Sequence, residues 1–186
     1  RDDPAFVAIL CFFMCVATTA YAVAFHVTGV LNYIKIIFWS VFIDFISLGV
    51  YVATIGWWFS NKYLRVRNSI HTVEQTVEWL YAFDIHCNSF FPVFIVLYVV
   101  QFFLVPLLIA QNFIATFFAN TLYLASFTYY YHITFLGYNA LPFLQNTMYF
   151  LYPIGVIFIL YLFSLIFNWN ICIFLMNTYF YSLTHQ

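Results

Sequence analysis

The residue most able to do chemistry in this chain is Asp44, an acid in the middle of an apolar run over residues 34–59. That run is long enough to cross a membrane, and an acid inside a span is by default interpreted as a proton or cation site. The structural alternative is a carboxyl hydrogen-bonded within the bundle, to Ser40, Ser47 or Tyr51 of its own helix. Transport needs several such groups and the other apolar runs offer few, so we favour the structural alternative.

A second candidate group lies in the polar stretch before a later apolar run. Its carboxylate, imidazole and amide side chains are His71, Glu74, Glu78, Asp84, His86 and Asn88. Zinc accepts carboxylate and imidazole ligands, but no HExxH pattern or cysteine partner fixes a geometry here. We therefore predict no metal site and no cofactor. Asp and Asn are preferred N-caps, so Asp84 or Asn88 is expected to cap the helix that begins near Ser89, with Pro92 in its first turn.

Composition indicates that lipid, rather than water, surrounds most of this chain. It is 66% hydrophobic and only 6% charged, and no Asp, Glu, Lys or Arg occurs between Asp84 and Gln186. A water-soluble domain averages about 25% charged residues. The chain is therefore predicted to be an integral membrane protein. It has no basic stripe of the kind that a nucleic-acid surface needs, so nucleic acid is an unlikely partner and the lipid bilayer a certain one.

The elements that position these residues are predicted to be transmembrane helices. The predicted fold is all-α, a polytopic helix bundle in a single transmembrane domain over residues 1–186. Five spans are predicted, at residues 5–25, 34–59, 89–109, 113–135 and 147–167. Residues 171–181 are too short to cross alone and are interpreted as an interfacial or re-entrant tail, with a sixth span as the alternative.

The loop over residues 60–88 holds most of the charged residues and is predicted to face the cytosol. Its basic residues are Lys62, Arg65 and Arg67. By the positive-inside rule, this loop and the N-terminus are cytosolic. Glu74 to Phe83 is expected to form a short amphipathic helix on the membrane surface. With Glu74 and Glu78, the three basic residues form the charged surface that a soluble partner could bind.

Five stretches, in order along the chain, are similar to one known family. They are Arg-Asp-Asp-Pro-Ala-Phe at 1–6, Ser-Asn-Lys-Tyr-Leu at 60–64, the long run at 77–92 that contains Asp84, His86, Asn88 and Pro92, Thr-Phe-Leu-Gly-Tyr-Asn-Ala-Leu-Pro-Phe-Leu at 134–144, and Leu-Tyr-Pro at 151–153. They resemble the uncoordinated-fifty family of Golgi membrane proteins. Family members usually have a longer cytosolic N-terminal extension, so we expect a fragment or a shortened member.

The resemblance implies a non-enzymatic protein of the Golgi and early secretory pathway that supports vesicle trafficking. It implies recruitment of a large Arf guanine-nucleotide exchange factor, and help in assembling or transporting multi-subunit cell-surface receptors as cargo. The endoplasmic reticulum and the nuclear envelope are alternative locations. The family supplies no catalytic residues to carry over. The alternative function is a small transporter or lipid-handling membrane enzyme, which predicts a polar cavity joining Asp44 to Asp84 and His86.

Overall fold

The computed structural model describes residues 4–66 and 75–181. Six helices, numbered in chain order, account for nearly all of these residues. They are α1 (Pro4–Ala24), α2 (Val30–Leu64), α3 (Trp79–Leu108), α4 (Phe113–Asn139), α5 (Thr147–Ile166) and α6 (Ile171–Phe180). The predicted all-α helix bundle is confirmed.

Four of these helices, α1, α2, α3 and α5, are long and apolar enough to cross a membrane. The fifth long helix, α4, has 27 residues but is less apolar. It is the central helix and packs against α3, α5 and α6. Its buried face recurs every three or four residues, at Ala115, Thr116, Ala119, Asn120, Tyr123, Ser126, Tyr130, Thr134 and Tyr138. Neighbouring helices shield this face from lipid, so it can hold polar side chains that pair inside the bundle.

Helix α3 begins earlier than predicted. It starts at Trp79, ten residues before the predicted start of the third span, and residues 75–78 have no regular structure. Residues 79–83 are therefore the first turns of α3, and the prediction that they belong to a separate surface helix is wrong. Glu74, where that helix was predicted to start, lies outside the described residues. Pro92 is inside α3 and not at a span end.

Four segments of the described helices are wound more widely, as π-helix. They are Trp39–Ser47 and Ser60–Leu64 in α2, Ile95–Val100 in α3, and Asn177–Tyr181, which overlaps the end of α6. The segment in α3 follows Pro92, whose missing amide proton already removes one backbone hydrogen bond. π-Helical turns are frequent at functional sites because they redirect the side chains of one turn.

The connections on one side of the bundle are closed by asparagines. Asn112 ends the tight hairpin predicted between α3 and α4, and its Oδ1 accepts a hydrogen bond of 2.7 Å from the Ala115 amide. Asn170 caps α6 in the same way and also donates to the Leu108 carbonyl at 2.7 Å. These bonds fasten the short tail helix to the end of α3. With ten residues, α6 is too short to cross a hydrocarbon core of about 30 Å.

Candidate functional site

His86 is buried in a helix interface at the centre of the bundle. Its side chain is 2% exposed, and its Nδ1 shares a hydrogen bond of 2.7 Å with the Tyr130 hydroxyl. The ring packs beside Phe45 and Phe90, at 5.7 and 5.8 Å between ring centroids. On the α2 side it meets Gly49, where an added Cβ would lie 2.5 Å from His86 Cδ2. The imidazole therefore fills a space that glycine leaves open.

The same interface continues along α3 and α4. Ser89 and Thr134 share a hydrogen bond of 3.0 Å, and the Tyr81 hydroxyl donates to the Gly137 carbonyl at 2.8 Å. A Cβ at Gly137 would come within 2.8 Å of Ile85. The stretch at 77–92 thus packs directly against the stretch at 134–144. Both stretches act mainly as packing surfaces for each other.

The prediction that Asp84 or Asn88 caps the third span is wrong. Both lie inside α3, where Asn88 Nδ2 donates to the Asp84 carbonyl at 3.0 Å and to its Oδ2 at 3.3 Å. The N-cap position is Glu78, whose side chain makes no capping bond. The reason is the early start of the helix, which places Asp84 beyond its first turn. A capping side chain can serve only the amides of that turn.

Metal-ligand types do not assemble in the part of the chain that the structure describes. No three His, Cys, Asp or Glu side chains come together there in an arrangement that could hold an ion. Two members of the candidate cluster, His71 and Glu74, lie outside the described residues.

The loop ends form a small folded surface with the turn between α4 and α5. Asn61 exchanges two hydrogen bonds with the Val77 backbone, at 2.8 and 3.0 Å. Residues 64–66 run antiparallel to residues 143–145, with Val66 N donating to Phe143 O at 3.0 Å and Gln145 N donating to Leu64 O at 2.8 Å. Three of the five family-like stretches therefore meet at one end of the bundle.

Only some of the predicted partner-binding residues lie at this surface. Lys62 is exposed, and its ammonium lies 4.6 Å from the centre of the Trp58 ring. Glu78, which follows Val77 in the chain, is also exposed. Arg65 is half-buried and pairs with Leu144 in the antiparallel bridge. Arg67 and Glu74 lie outside the described residues.

Asp44 lies beside a cavity of about 260 Å³ between α1, α2, α3, α4 and α6. Its Oδ2 accepts a hydrogen bond of 2.7 Å from the Tyr179 hydroxyl. The Tyr98 hydroxyl also interacts with the carboxyl. The structural alternative for Asp44 is thus supported, but its partners come from α3 and the tail and not from Ser40, Ser47 or Tyr51.

Sequence reasoning missed most of this cavity's polar wall. Thr18 donates to Ser40 at 3.1 Å, and Ser40 donates to the Tyr98 hydroxyl at 3.2 Å. Gln101 is 1% exposed and lines the same space. Its position as the one amide in an otherwise apolar span was the signal that could have found it.

The predicted cavity joining Asp44 to Asp84 and His86 is not found among the described residues. His86 lines a second cavity, between α2, α3, α4 and α5, to which Asp44 does not contribute. Asp84 lines neither of the two. Phe45 and Phe90 stand beside the imidazole, with ring centroids at 5.7 and 5.8 Å.

Comparison with known proteins identifies the family of this chain. The family model described as the UNC-50 family matches residues 1–180. The chain belongs to the UNC-50 family. It is 59% identical over 180 residues to the unc-50 homolog of Dictyostelium discoideum, covering 97% of this chain and 69% of that protein.

Animal members of the UNC-50 family are also similar. The homolog of Rattus norvegicus is 42% identical over 171 residues, covering 91% of this chain and 64% of that protein. Unc-50 of Caenorhabditis elegans is 42% identical over 181 residues, covering 96% of this chain and 58% of that protein. The chain thus spans roughly two thirds of the length of these curated relatives. No solved structure matches it.

Proposed function

We propose that this UNC-50 chain is the core of a non-enzymatic, multi-pass membrane protein of the Golgi and early secretory pathway. In this role its cytosolic face recruits an Arf guanine-nucleotide exchange factor, and the protein aids the assembly or transport of cell-surface receptors. Family membership supports the class of protein. The folded surface made by residues 61–66, 77–78 and 143–145 is the observation that carries the recruitment step.

This surface suits a docking role because it is built from backbone pairing. The antiparallel pair at residues 64–66 and 143–145 orders the polypeptide at the membrane boundary without a separate domain. A partner then meets a preformed surface and loses less conformational entropy on binding. The exposed charges of Lys62 and Glu78 lie at its edge and provide polar contacts for a soluble protein.

The first experiment tests the side of the membrane. Gln145 and Gln111 are both exposed and lie at opposite ends of α4 and its flanking turns. In sealed vesicles with the cytosolic side outward, Gln145→Cys should react with a membrane-impermeant maleimide, whereas Gln111→Cys should not. The unsubstituted chain measures background from its own cysteines. The reverse labelling would contradict the orientation.

The second experiment tests recruitment. The variant Lys62→Gln with Glu78→Gln should lower the amount of exchange factor recovered with the chain from gently solubilised membranes. Lys35→Gln, an exposed lysine at the other end of α2, is the matched control and should leave recovery unchanged. Abundance of each variant separates lost binding from lost folding. Full recovery after residues 67–76 are also scrambled would refute the recruitment role.

The alternative function, a small transporter or lipid-handling enzyme using Asp44 and Asp84/His86, has weaker support. It required these residues to share one cavity, and Asp44 and His86 line different ones. The cavity beside Asp44 has a polar wall of its own, to which Asp84 and His86 do not contribute.

A further inference from the structure

We propose that the cavity beside Asp44 binds an uncharged membrane lipid through a hydroxyl headgroup, which donates a hydrogen bond to Gln101. The proposal is independent of the trafficking role. It rests on one unpartnered acceptor, on the charge of the cavity wall, on an opening toward the bilayer and on the local winding of the helices.

The unpartnered acceptor is the Gln101 side-chain oxygen. Its Oε1 is one of three buried side-chain atoms without a hydrogen-bond partner among the described residues, with Ser60 Oγ and His86 Nε2, and it is the one whose residue lines this cavity. The side-chain amide interacts with the hydroxyls of Tyr21 and Tyr123. Leaving a buried acceptor unsatisfied is costly, and native proteins do so rarely unless a ligand or water completes the bond. The missing group must be a donor, such as a hydroxyl.

The charge of the wall excludes other headgroups. Among the residues that the structure describes, Asp44 is the only charged residue in the wall, and no Lys or Arg lines the cavity. A phosphate would therefore enter without a cation and against a carboxyl group, which is unfavourable in a low-dielectric site. The Asp44 carboxyl already has Tyr179 and Tyr98 as partners. Since tyrosine donors already serve this acid, the wall favours a neutral donor over an ammonium group.

The apolar part of the wall suits the body of a lipid. Most of the lining is aliphatic or aromatic, including Phe90, Val93 and Leu97. Two lining residues, Leu48 and Phe127, are 50% and 38% exposed on the lipid-facing surface. The cavity thus opens between α2 and α4 toward the bilayer. At about 260 Å³ it holds a headgroup and the first carbons, with the remainder in the membrane.

The local winding of the helices builds this site. The π-helical segment of α2 carries Ser40 and Asp44, and that of α3 carries Tyr98. The segment at the end of the tail carries Tyr179. Three of the four widened segments in the described residues therefore bring polar side chains to the same cavity wall, as π-turns often do at a site, whereas Ser60–Leu64 does not line it. The tail closes one side of the cavity and is held there by the bond from Tyr179 to Asp44.

The experiment uses the full chain in lipid nanodiscs and two photoactivatable hydroxyl lipids, a sterol and a diacylglycerol, whose relative labelling identifies the source. Unlabelled alcohol should suppress labelling, while its methyl ether should compete about tenfold more weakly because it cannot donate. Labelled peptides should include residues of the cavity wall.

Two variants separate binding from folding. Gln101→Leu removes the unpartnered oxygen together with the amide group that meets Tyr21 and Tyr123, so it should lose labelling about tenfold and lower the unfolding midpoint only modestly, with the chain still folded. Leu48→Trp should block the mouth, whereas Val50→Trp, also exposed on α2 but outside the cavity, should label normally. Labelling that survives Gln101→Leu and Leu48→Trp would overturn the proposal. So would equal competition by the ether, or stronger competition by a lipid amine or phosphate.

Discussion

The two interiors of this bundle differ in how they satisfy their polar groups. Around His86 most polar atoms pair across α3 and α4, although His86 Nε2 has no partner among the described residues, and Gly49 and Gly137 allow the helices to approach closely. Around Asp44 the polar atoms line an open space, and Gln101 keeps an acceptor without a partner. Both regions border a cavity, of about 340 Å³ beside His86 and about 260 Å³ beside Asp44. The comparison teaches that the first region combines its cavity with close helix packing, whereas the second gathers polar side chains from five helices around its cavity.

The largest expected effect is at Gly49. Gly49→Ala places a methyl group against the buried His86 ring and should lower the free energy of unfolding by about 1–3 kcal/mol. Gly155→Ala in α5 is the matched control, because an added Cβ there meets nothing within 4 Å. It should be neutral or slightly stabilising. Thermal unfolding in detergent measures both. An unaffected Gly49→Ala would show that the His86 interface is not tightly packed.

Tyr130→Phe should have the next largest effect. It removes the hydroxyl that bonds His86 Nδ1 and leaves a buried nitrogen unpaired, at a cost of about 1–3 kcal/mol. Tyr129→Phe changes an exposed neighbour on the same helix and should have little effect. The midpoints of thermal unfolding compare the two. Equal unfolding midpoints for the two variants would show that the buried Tyr130 hydroxyl contributes no more to stability than the exposed Tyr129 hydroxyl.

Asp44→Asn should change stability by less than about 1 kcal/mol. The amide oxygen of Asn can still accept from Tyr179, and the cavity gives the side chain space to adjust. The matched variant Tyr179→Phe removes the donor and should loosen the tail, detected as faster proteolysis after residue 166. A large loss of stability in Asp44→Asn would mean that this region is as tightly specified as the His86 interface.

Asn88→Ala should have the smallest effect, a few tenths of a kcal/mol. Asn88 is exposed and its bonds reach only one turn back along α3, to Asp84. Ser89→Ala, one residue away but bonded to Thr134 in the buried interface, is the contrasting variant and should cost more. If Asn88→Ala cost more than Ser89→Ala, the exposed side of the motif would carry a structural or binding role.

Several features could be predicted from the sequence because they depend on the solvent. A helix covers each of the five apolar runs and the short tail, and the largest difference in position is the start of α3 at Trp79. That start was missed because Asp84 and Asn88 have the residue types of caps. Because the helix begins at Trp79 and Leu80, Asp84 and Asn88 become interior positions of that helix. Several nearby residues have side chains that could cap a helix. Packing against α4 decides where α3 begins, and so which residue stands at the cap position.

The candidate site was less predictable because its partners are far apart in the chain. Asp44 was singled out as an intramembrane acid, but its partner Tyr179 is 135 residues away. No periodicity links two such positions. Gln101 and His86 were visible as polar residues in apolar surroundings, yet the sequence does not say which has a partner. Pairing depends on the rotation of each helix about its axis, which only packing against its neighbours sets.

The sequence by itself determined the solvent, the helical class, the order of the spans and membership in the UNC-50 family. These follow from composition and local order, since a backbone in hydrocarbon must satisfy its own hydrogen bonds within helices. Only the tertiary structure shows that α4 is central, that glycines on α2 and α4 let α3 pack closely, and that the tail contacts Asp44. Each of these depends on contacts between distant segments, which only the folded chain brings together.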